Sequence, residues 1–131
     1  MPRVLYIEDN NDNRNLVRRI LMASDFDFFV TEADTARKGI EIALSEPPDL
    51  ILMDLSMPDM DGLTATKRIR SIPELSAVPI IALTANAMDS DRDRSLEAGC
   101  DGYIKKPIDV DKFPDEIIHY IRSRRDERRS K

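Results

Sequence analysis

The chain has 131 residues, 41% hydrophobic and 34% charged, which suits one globular domain with a real core and excludes a low-complexity chain. The formal net charge is −5, but residues 122–131 carry six Lys/Arg against two Asp/Glu, leaving 14 basic and 23 acidic residues, or −9, on the rest; an acidic body argues against a nucleic-acid-binding surface on the domain itself. A single cysteine, Cys100, excludes an intrachain disulfide, and the absence of a membrane-length apolar stretch or a signal-peptide pattern leads us to expect a soluble, cytoplasmic protein with no membrane partner.

Five short apolar runs alternate with five helix-like segments. Val4-Leu5-Tyr6-Ile7 is the first run, and a helix follows from about Asp12 to Ala23 with Leu16, Val17, Ile20 and Leu21 on one face. Phe28-Phe29-Val30 is aromatic and β-branched, as strands prefer. Asp34 or Thr35 can cap a second helix whose apolar face holds Ala36, Ile40, Ala43 and Leu44, and Pro47-Pro48 stops it.

The third run is Leu50-Ile51-Leu52-Met53, ended by Asp54; four apolar residues between polar ones read as a buried parallel strand. Pro58 and Gly62 then force a loop. A third helix spans roughly Leu63 to Arg70, and Ile80-Ile81-Ala82-Leu83 forms the fourth run. A fourth helix runs from about Asn86 to Ala98, with Gly99 as its C′ residue. Tyr103-Ile104 is a short fifth strand. The last helix carries Phe113, Ile117 and Ile121 at four-residue steps, with Pro114 in its first turn.

This alternation predicts an α/β fold: a five-stranded parallel sheet, doubly wound, a (βα)5 sandwich with helices on both faces. One domain over residues 1–122 and a basic C-terminal tail over 123–131 are expected. The tail reads as a solvated helix end, where cations suit the helix dipole.

In a parallel sheet the C-terminal strand ends share one edge, where ligands bind. The first strand ends in Glu8-Asp9, the third in Asp54, the fourth in Thr84, and Lys105-Lys106-Pro107 follows the fifth. Three carboxylates so gathered repel one another and need a positive partner. Lys106 is one, and a hard cation such as Mg²⁺, which takes oxygen ligands, is another. No His or Cys lies near these runs, so Zn²⁺ does not suit. Asp54 beside such groups can attack phosphorus to give an acyl phosphate, with Lys106 and the Thr84 hydroxyl on the phosphoryl oxygens. Taken singly, each residue has a plain explanation as loop, surface or strand chemistry; it is their arrangement at the ends of the right strands that points to a site. A cis bond before Pro107 would fix the direction of Lys106. His119, Met57 and Met60, Asp89, Asp91 and Asp93, and Cys100 all read as ordinary surface or packing residues.

The stretches Leu5-Tyr6-Ile7-Glu8-Asp9-Asn10, Met53 to Gly62, Ala82-Leu83-Thr84-Ala85 and Gly102 to Ile108 stand in the order and spacing of a known family. Over about residues 2–122 the chain resembles the receiver domain of two-component response regulators, the CheY-like branch of the flavodoxin-like fold. That resemblance implies that Asp54 accepts a phosphoryl group from a sensor histidine kinase or a histidine phosphotransfer domain. It implies Mg²⁺, with Mn²⁺ as a substitute, held by Glu8, Asp9, Asp54 and the main-chain carbonyl of Ser56. Thr84 and Lys106 match the phosphate-contacting pair, and Thr84 with Tyr103 matches the switch that re-aims a face for a downstream protein target. Ser56 and Asn86 match positions that tune the lifetime of the acyl phosphate. Glu8 stands where Asp is commoner in the family.

The resemblance implies a phosphoacceptor that assists its own phosphorylation and dephosphorylation rather than an enzyme acting on others. A stand-alone regulator is the first expectation and a receiver cut from a larger regulator or hybrid kinase the second. An aspartate-nucleophile phosphatase fits less well, because Ser56 stands where a second Asp would act as acid. A receiver-like scaffold that takes no phosphate does not explain an intact Asp9, Asp54, Thr84 and Lys106. Nucleotide or flavin binding lacks its glycine-rich turn, since Asn10-Asn11-Asp12-Asn13 follows the first run.

Overall fold

The computed structural model describes residues 2–55, 62–84, 89–106 and 108–129, with the backbone alone for 89–92 and 124–129. Among the described residues five strands alternate with five helices: β1 Arg3–Ile7, α1 Asn11–Met22, β2 Phe29–Ala33, α2 Ala36–Ser45, β3 Leu50–Asp54, α3 Gly62–Arg70, β4 Ile80–Thr84, α4 Asp89–Ala98, β5 Gly102–Lys105 and α5 Phe113–Arg129. A short 3-10 turn, Pro73–Leu75, precedes β4. All strand pairs are parallel, in the order β2-β1-β3-β4-β5. The order reverses direction between β1 and β3, so a crevice opens beyond their carboxyl ends. This is the expected doubly wound α/β sandwich.

Strand alternation divides the core into two layers. Leu5 and Ile7 of β1, Ile51 and Met53 of β3, and Ile80 and Ala82 of β4 pack with Ala36, Ile40 and Ala43 of α2 and Ala65 and Ile69 of α3. Val4, Tyr6, Leu50, Leu52, Ile81, Leu83 and Ile104 face the other way, onto Val17, Ile20 and Leu21 of α1 and Phe113, Ile117, Ile118 and Ile121 of α5. Both faces of β1, β3 and β4 are therefore covered, which is why those runs are apolar throughout.

Three sequence expectations need correction. Leu16 lies off the buried arc of α1 and is 51% exposed, while Val17, Ile20 and Leu21 fill the interface. Leu44 sits in the last turn of α2, off the buried arc of Ala36, Gly39, Ile40 and Ala43, and is 47% exposed. The second strand starts and ends later than Phe28-Phe29-Val30: Phe28 is buried before it, Phe29 is largely exposed, and pairing with β1 carries the ladder on to Ala33. β2 lies at the sheet edge with one pairing neighbour, so polar Thr31 and Glu32 are tolerated there.

Caps and stops follow local chemistry. Asn10 caps α1 by accepting from the Asn13 N–H at 2.9 Å, and Thr35 caps α2 by accepting from the Lys38 N–H at 3.1 Å. Gly99 ends α4 at φ 116°, with its N–H on the Leu96 carbonyl and the Cys100 N–H on the Ser95 carbonyl, the paired closure that favours glycine. Cys100 is buried, 3.7 Å from the Thr66 hydroxyl, as a packing residue should be. Pro114 is the second residue of α5, where a missing N–H costs nothing.

At the edge away from the strand ends, Arg70 ties three segments together. Its Nε donates to the Gly99 carbonyl at 2.8 Å, one terminal nitrogen to the carbonyls of Val78 at 2.6 Å and Ser76 at 3.1 Å, and the other to Asp101 Oδ2 at 2.5 Å. The same Asp101 oxygen accepts from the Ile80 N–H. Arg70 thus anchors the starts of β4 and β5 beneath α3.

Candidate functional site: an acidic crevice at the carboxyl edge of the sheet

Strand alternation explains which side chains meet. Glu8 follows Tyr6 by two, Asp54 follows Leu52 by two, and Lys106 follows Ile104 by two. All three continue the rows that face α1 and α5. The β1–β3 register pairs Ile7 with Met53, so Glu8 and Asp54 come next on adjacent strands. Glu8 is anchored by its N–H on the Ala33 carbonyl at 3.0 Å, and Lys106 by its N–H on the Thr84 carbonyl at 2.8 Å.

Glu8 and Asp54 are buried and Asp9 is exposed at the rim, yet one carboxylate oxygen from each lies within 4.8 Å of the others. The Lys106 ammonium is 3.5 Å from Glu8 Oε1 and 3.8 Å from Asp54 Oδ1. Burial, and then the neighbouring Asp54 carboxyl, push the Glu8 carboxyl up to about 7, while the Asn13 amide and Lys106 favour its charged form. Glu8 Oε2 is buried and has no hydrogen-bond partner among the described residues. An all-oxygen donor set with one buried oxygen left over, at a focus of negative charge, fits a hard divalent cation.

Thr84 ends β4 and is buried. By alternation it continues the row of Ile80 and Ala82, on the α2/α3 side of the sheet. Tyr103 is half-buried against that same layer. Glu8, Asp54 and Lys106 thus occupy one side of the edge, and Thr84 and Tyr103 the other. Ser56, Asn86 and Pro107 lie outside the described residues, as do Met57 and Met60. His119 is exposed and stacks edge-on with Tyr120, remote from this chemistry.

Sequence reasoning passed over the first turn of α1. Asn13 Nδ2 donates to Glu8 Oε1 at 2.6 Å, and an Arg14 terminal nitrogen donates to the Glu8 carbonyl at 2.7 Å. The signal for this turn was present: Asn10 is a helix-capping residue type directly after the acid pair. Gly62 was read only as a loop residue. A Cβ there would stand 2.5 Å from the Asp54 carbonyl oxygen and 2.6 Å from Leu55 Cα, so glycine lets α3 begin against the backbone that carries Asp54.

Comparison with known proteins decides the family. The model for the response regulator receiver domain matches residues 4–118. The chain belongs to the response regulator receiver family. Receivers are phosphoacceptors in two-component phosphorelay signalling. This receiver is 38% identical over 122 residues to the polar-differentiation response regulator DivK of Brucella anthropi, an alignment covering 92% of this chain and 98% of DivK. It is 33% identical, with a TM-score of 0.83, to the receiver domain of a sensor histidine kinase from Pseudomonas aeruginosa, covering 92% of this chain and 97% of that one. That neighbour is described with a magnesium ion coordinated in its active-site cleft. The chemotaxis protein CheY4 of Vibrio cholerae, at 24% identity and a TM-score of 0.85, shares the fold.

Proposed function

We propose that this receiver takes its phosphoryl group on Asp54. The observation that carries the reading is the Lys106 ammonium 3.5 Å from Glu8 and 3.8 Å from Asp54 in a crevice where three carboxylates converge. A carboxylate oxygen of Asp54 attacks phosphorus, the O–P bond forms, and the P–N bond of a donor phosphohistidine breaks with its electron pair going to the imidazole nitrogen. Lys106 neutralises one phosphoryl oxygen and Thr84 donates its hydroxyl to another. Glu8, Asp9, Asp54 and the main-chain carbonyl of Ser56 would hold Mg²⁺, whose chemistry there is neutralisation of phosphoryl charge; Mn²⁺ is the expected substitute. The same residues serve hydrolysis, in which water attacks phosphorus, the O–P bond to Asp54 breaks with its electron pair returning to the carboxylate, and inorganic phosphate leaves, so the domain assists both its phosphorylation and its dephosphorylation.

Phosphorylation adds about −1.5 to −2 charges at this edge. Thr84 moving toward the phosphate would free space on the α2/α3 side for Tyr103, and the altered face would be read by a downstream protein target. The donor is a sensor histidine kinase or a histidine phosphotransfer domain. A stand-alone regulator, with residues 1–122 as the receiver and 123–131 as a basic tail, is supported by coverage of nearly all of DivK. The similarity to a receiver carried by a histidine kinase favours the second arrangement, a module of a larger protein.

Acetyl phosphate and Mg²⁺ with intact-mass analysis test the reading. Wild type should gain one labile phosphoryl group and Asp54→Asn none. An equal adduct on both proteins, or sustained turnover of p-nitrophenyl phosphate, would defeat it.

A further inference from the structure

Glutamate at position 8 has one more methylene and one more freely rotating bond than aspartate, so its carboxylate needs a restraint that a shorter acid would not. The structure supplies one on α1. Asn13 Nδ2 donates to Glu8 Oε1 at 2.6 Å, shorter than the 3.5 Å from Lys106 to the same oxygen. The amide must present its NH₂ here, because its carbonyl oxygen would repel a carboxylate. Asn13 is itself held: its backbone N–H donates to the Asn10 side chain at 2.9 Å, and helical side chains lean toward the N-terminus, which aims it at Glu8. Arg14 grips the Glu8 carbonyl at 2.7 Å and the Asn11 side chain at 3.1 Å, so the main chain beneath is fixed as well. With Oε1 occupied, Oε2 is the buried oxygen left without a partner among the described residues, and one carboxylate oxygen of Glu8 lies within 4.8 Å of those offered by Asp9 and Asp54.

We propose that Asn13 is a positioning residue that fits a glutamate to the cation site: by holding Oε1 it turns Oε2 toward the ion shared with Asp9 and Asp54. The inference rests on the reading of this crevice as a Mg²⁺ site. Residues that orient a metal ligand typically change affinity 10- to 100-fold when removed.

A double-mutant cycle on Mg²⁺ affinity, measured by calorimetry or amide-shift titration of the intact chain, tests it. Asn13→Ala should raise the Mg²⁺ Kd about tenfold. In the Glu8→Asp background the carboxylate is too short to reach Asn13, and the same substitution should change Kd less than about twofold. Thermal unfolding without Mg²⁺ separates a loss of helix stability, which would lower Tm equally in both backgrounds and leave the coupling in Kd untouched. An unchanged Kd for Asn13→Ala, or an equal loss in both backgrounds, overturns the proposal while leaving the Mg²⁺ site intact. A wild type without saturable Mg²⁺ binding, or binding that survives Asp54→Asn, overturns the reading of the crevice and the proposal with it.

Discussion

Glu8, Asp54 and Lys106 each extend an apolar row by one step of two residues, and this brings them to one spot. The same rows are the reason their neighbours cannot move: Tyr6, Leu52 and their partners are fully buried, so the last residue of each row inherits a fixed position. Tyr6 deepens the effect. Its ring closes a crevice of about 230 Å³ with Asn13, Leu16, Val17, Lys106 and Ile108, and its hydroxyl is held far from ionisation by burial and by Glu8. Cys100 shows how burial alone acts on a titrating group. Its thiol is pushed up from the usual 9.0 by burial, despite the Thr66 contact and Arg70. The folded state therefore keeps a proton that the unfolded chain loses once pH passes about 9, so stability falls as pH rises through that range. Cys100→Ala should cost about 1 kcal/mol at pH 7, and the gap to wild type should narrow between pH 8 and pH 10 in urea titrations. A gap that stays constant would remove burial of the thiol as the cause.

Helix and strand boundaries are set by short-range chemistry, but their seating depends on close approaches that a few residues permit. Gly62 allows α3 to start against the carbonyl of Asp54, and any Cβ there meets backbone that cannot step aside. We expect Gly62→Ala to destabilise by about 1–3 kcal/mol and to slow phosphorylation at the proposed acceptor more than Gly39→Ala does. At Gly39 the nearest atoms are the side-chain tip of Ile7, and a flexible terminus yields more readily than main chain. Equal phosphorylation rates in the two variants would count against a special role for Gly62. Arg70 is the second constraint, at the opposite edge. Arg70→Ala leaves Asp101 and three carbonyls without their shared donor, and should cost about 3 kcal/mol in urea unfolding. Arg70→Lys should recover only part, since a single ammonium cannot reproduce the guanidinium fork. Local signals, Gly62 as a turn and Arg70 as the end of a helix, show where these residues stand but not what they hold.

Taken over all five strands, the domain concentrates negative charge at one edge, a cost to its own stability that the proposed cation would relieve. Mg²⁺ at about 100 times its Kd should stabilise the fold by about 2.7 kcal/mol, and removal with EDTA should reverse the gain. Asp54→Asn should weaken the dependence; thermal unfolding curves of wild type that are indifferent to Mg²⁺ would contradict the whole reading of the edge. No helix among the described residues is long and apolar enough to cross a membrane. Most of the architecture was legible in the chain itself. Runs such as Leu50 to Met53 and Ile80 to Leu83 declare buried strands by composition, and Pro47, Gly99 and Pro114 mark helix ends, because these signals act over a few residues. The strand-end acids, Thr84 and Lys106 were legible for the same reason, as polar residues that stop apolar runs. What the chain could not declare is which side of a helix or strand finds a partner. Leu16 and Leu44 fit a helical apolar pattern and yet stay exposed, because each lies off the arc of its helix that the core buries. The Arg70–Asp101 and Lys106–Glu8 contacts depend on the order and twist of five strands, joining residues 31 and 98 positions apart. Such contacts arise only when the sheet closes, since no local window of sequence contains both partners and the geometry that joins them.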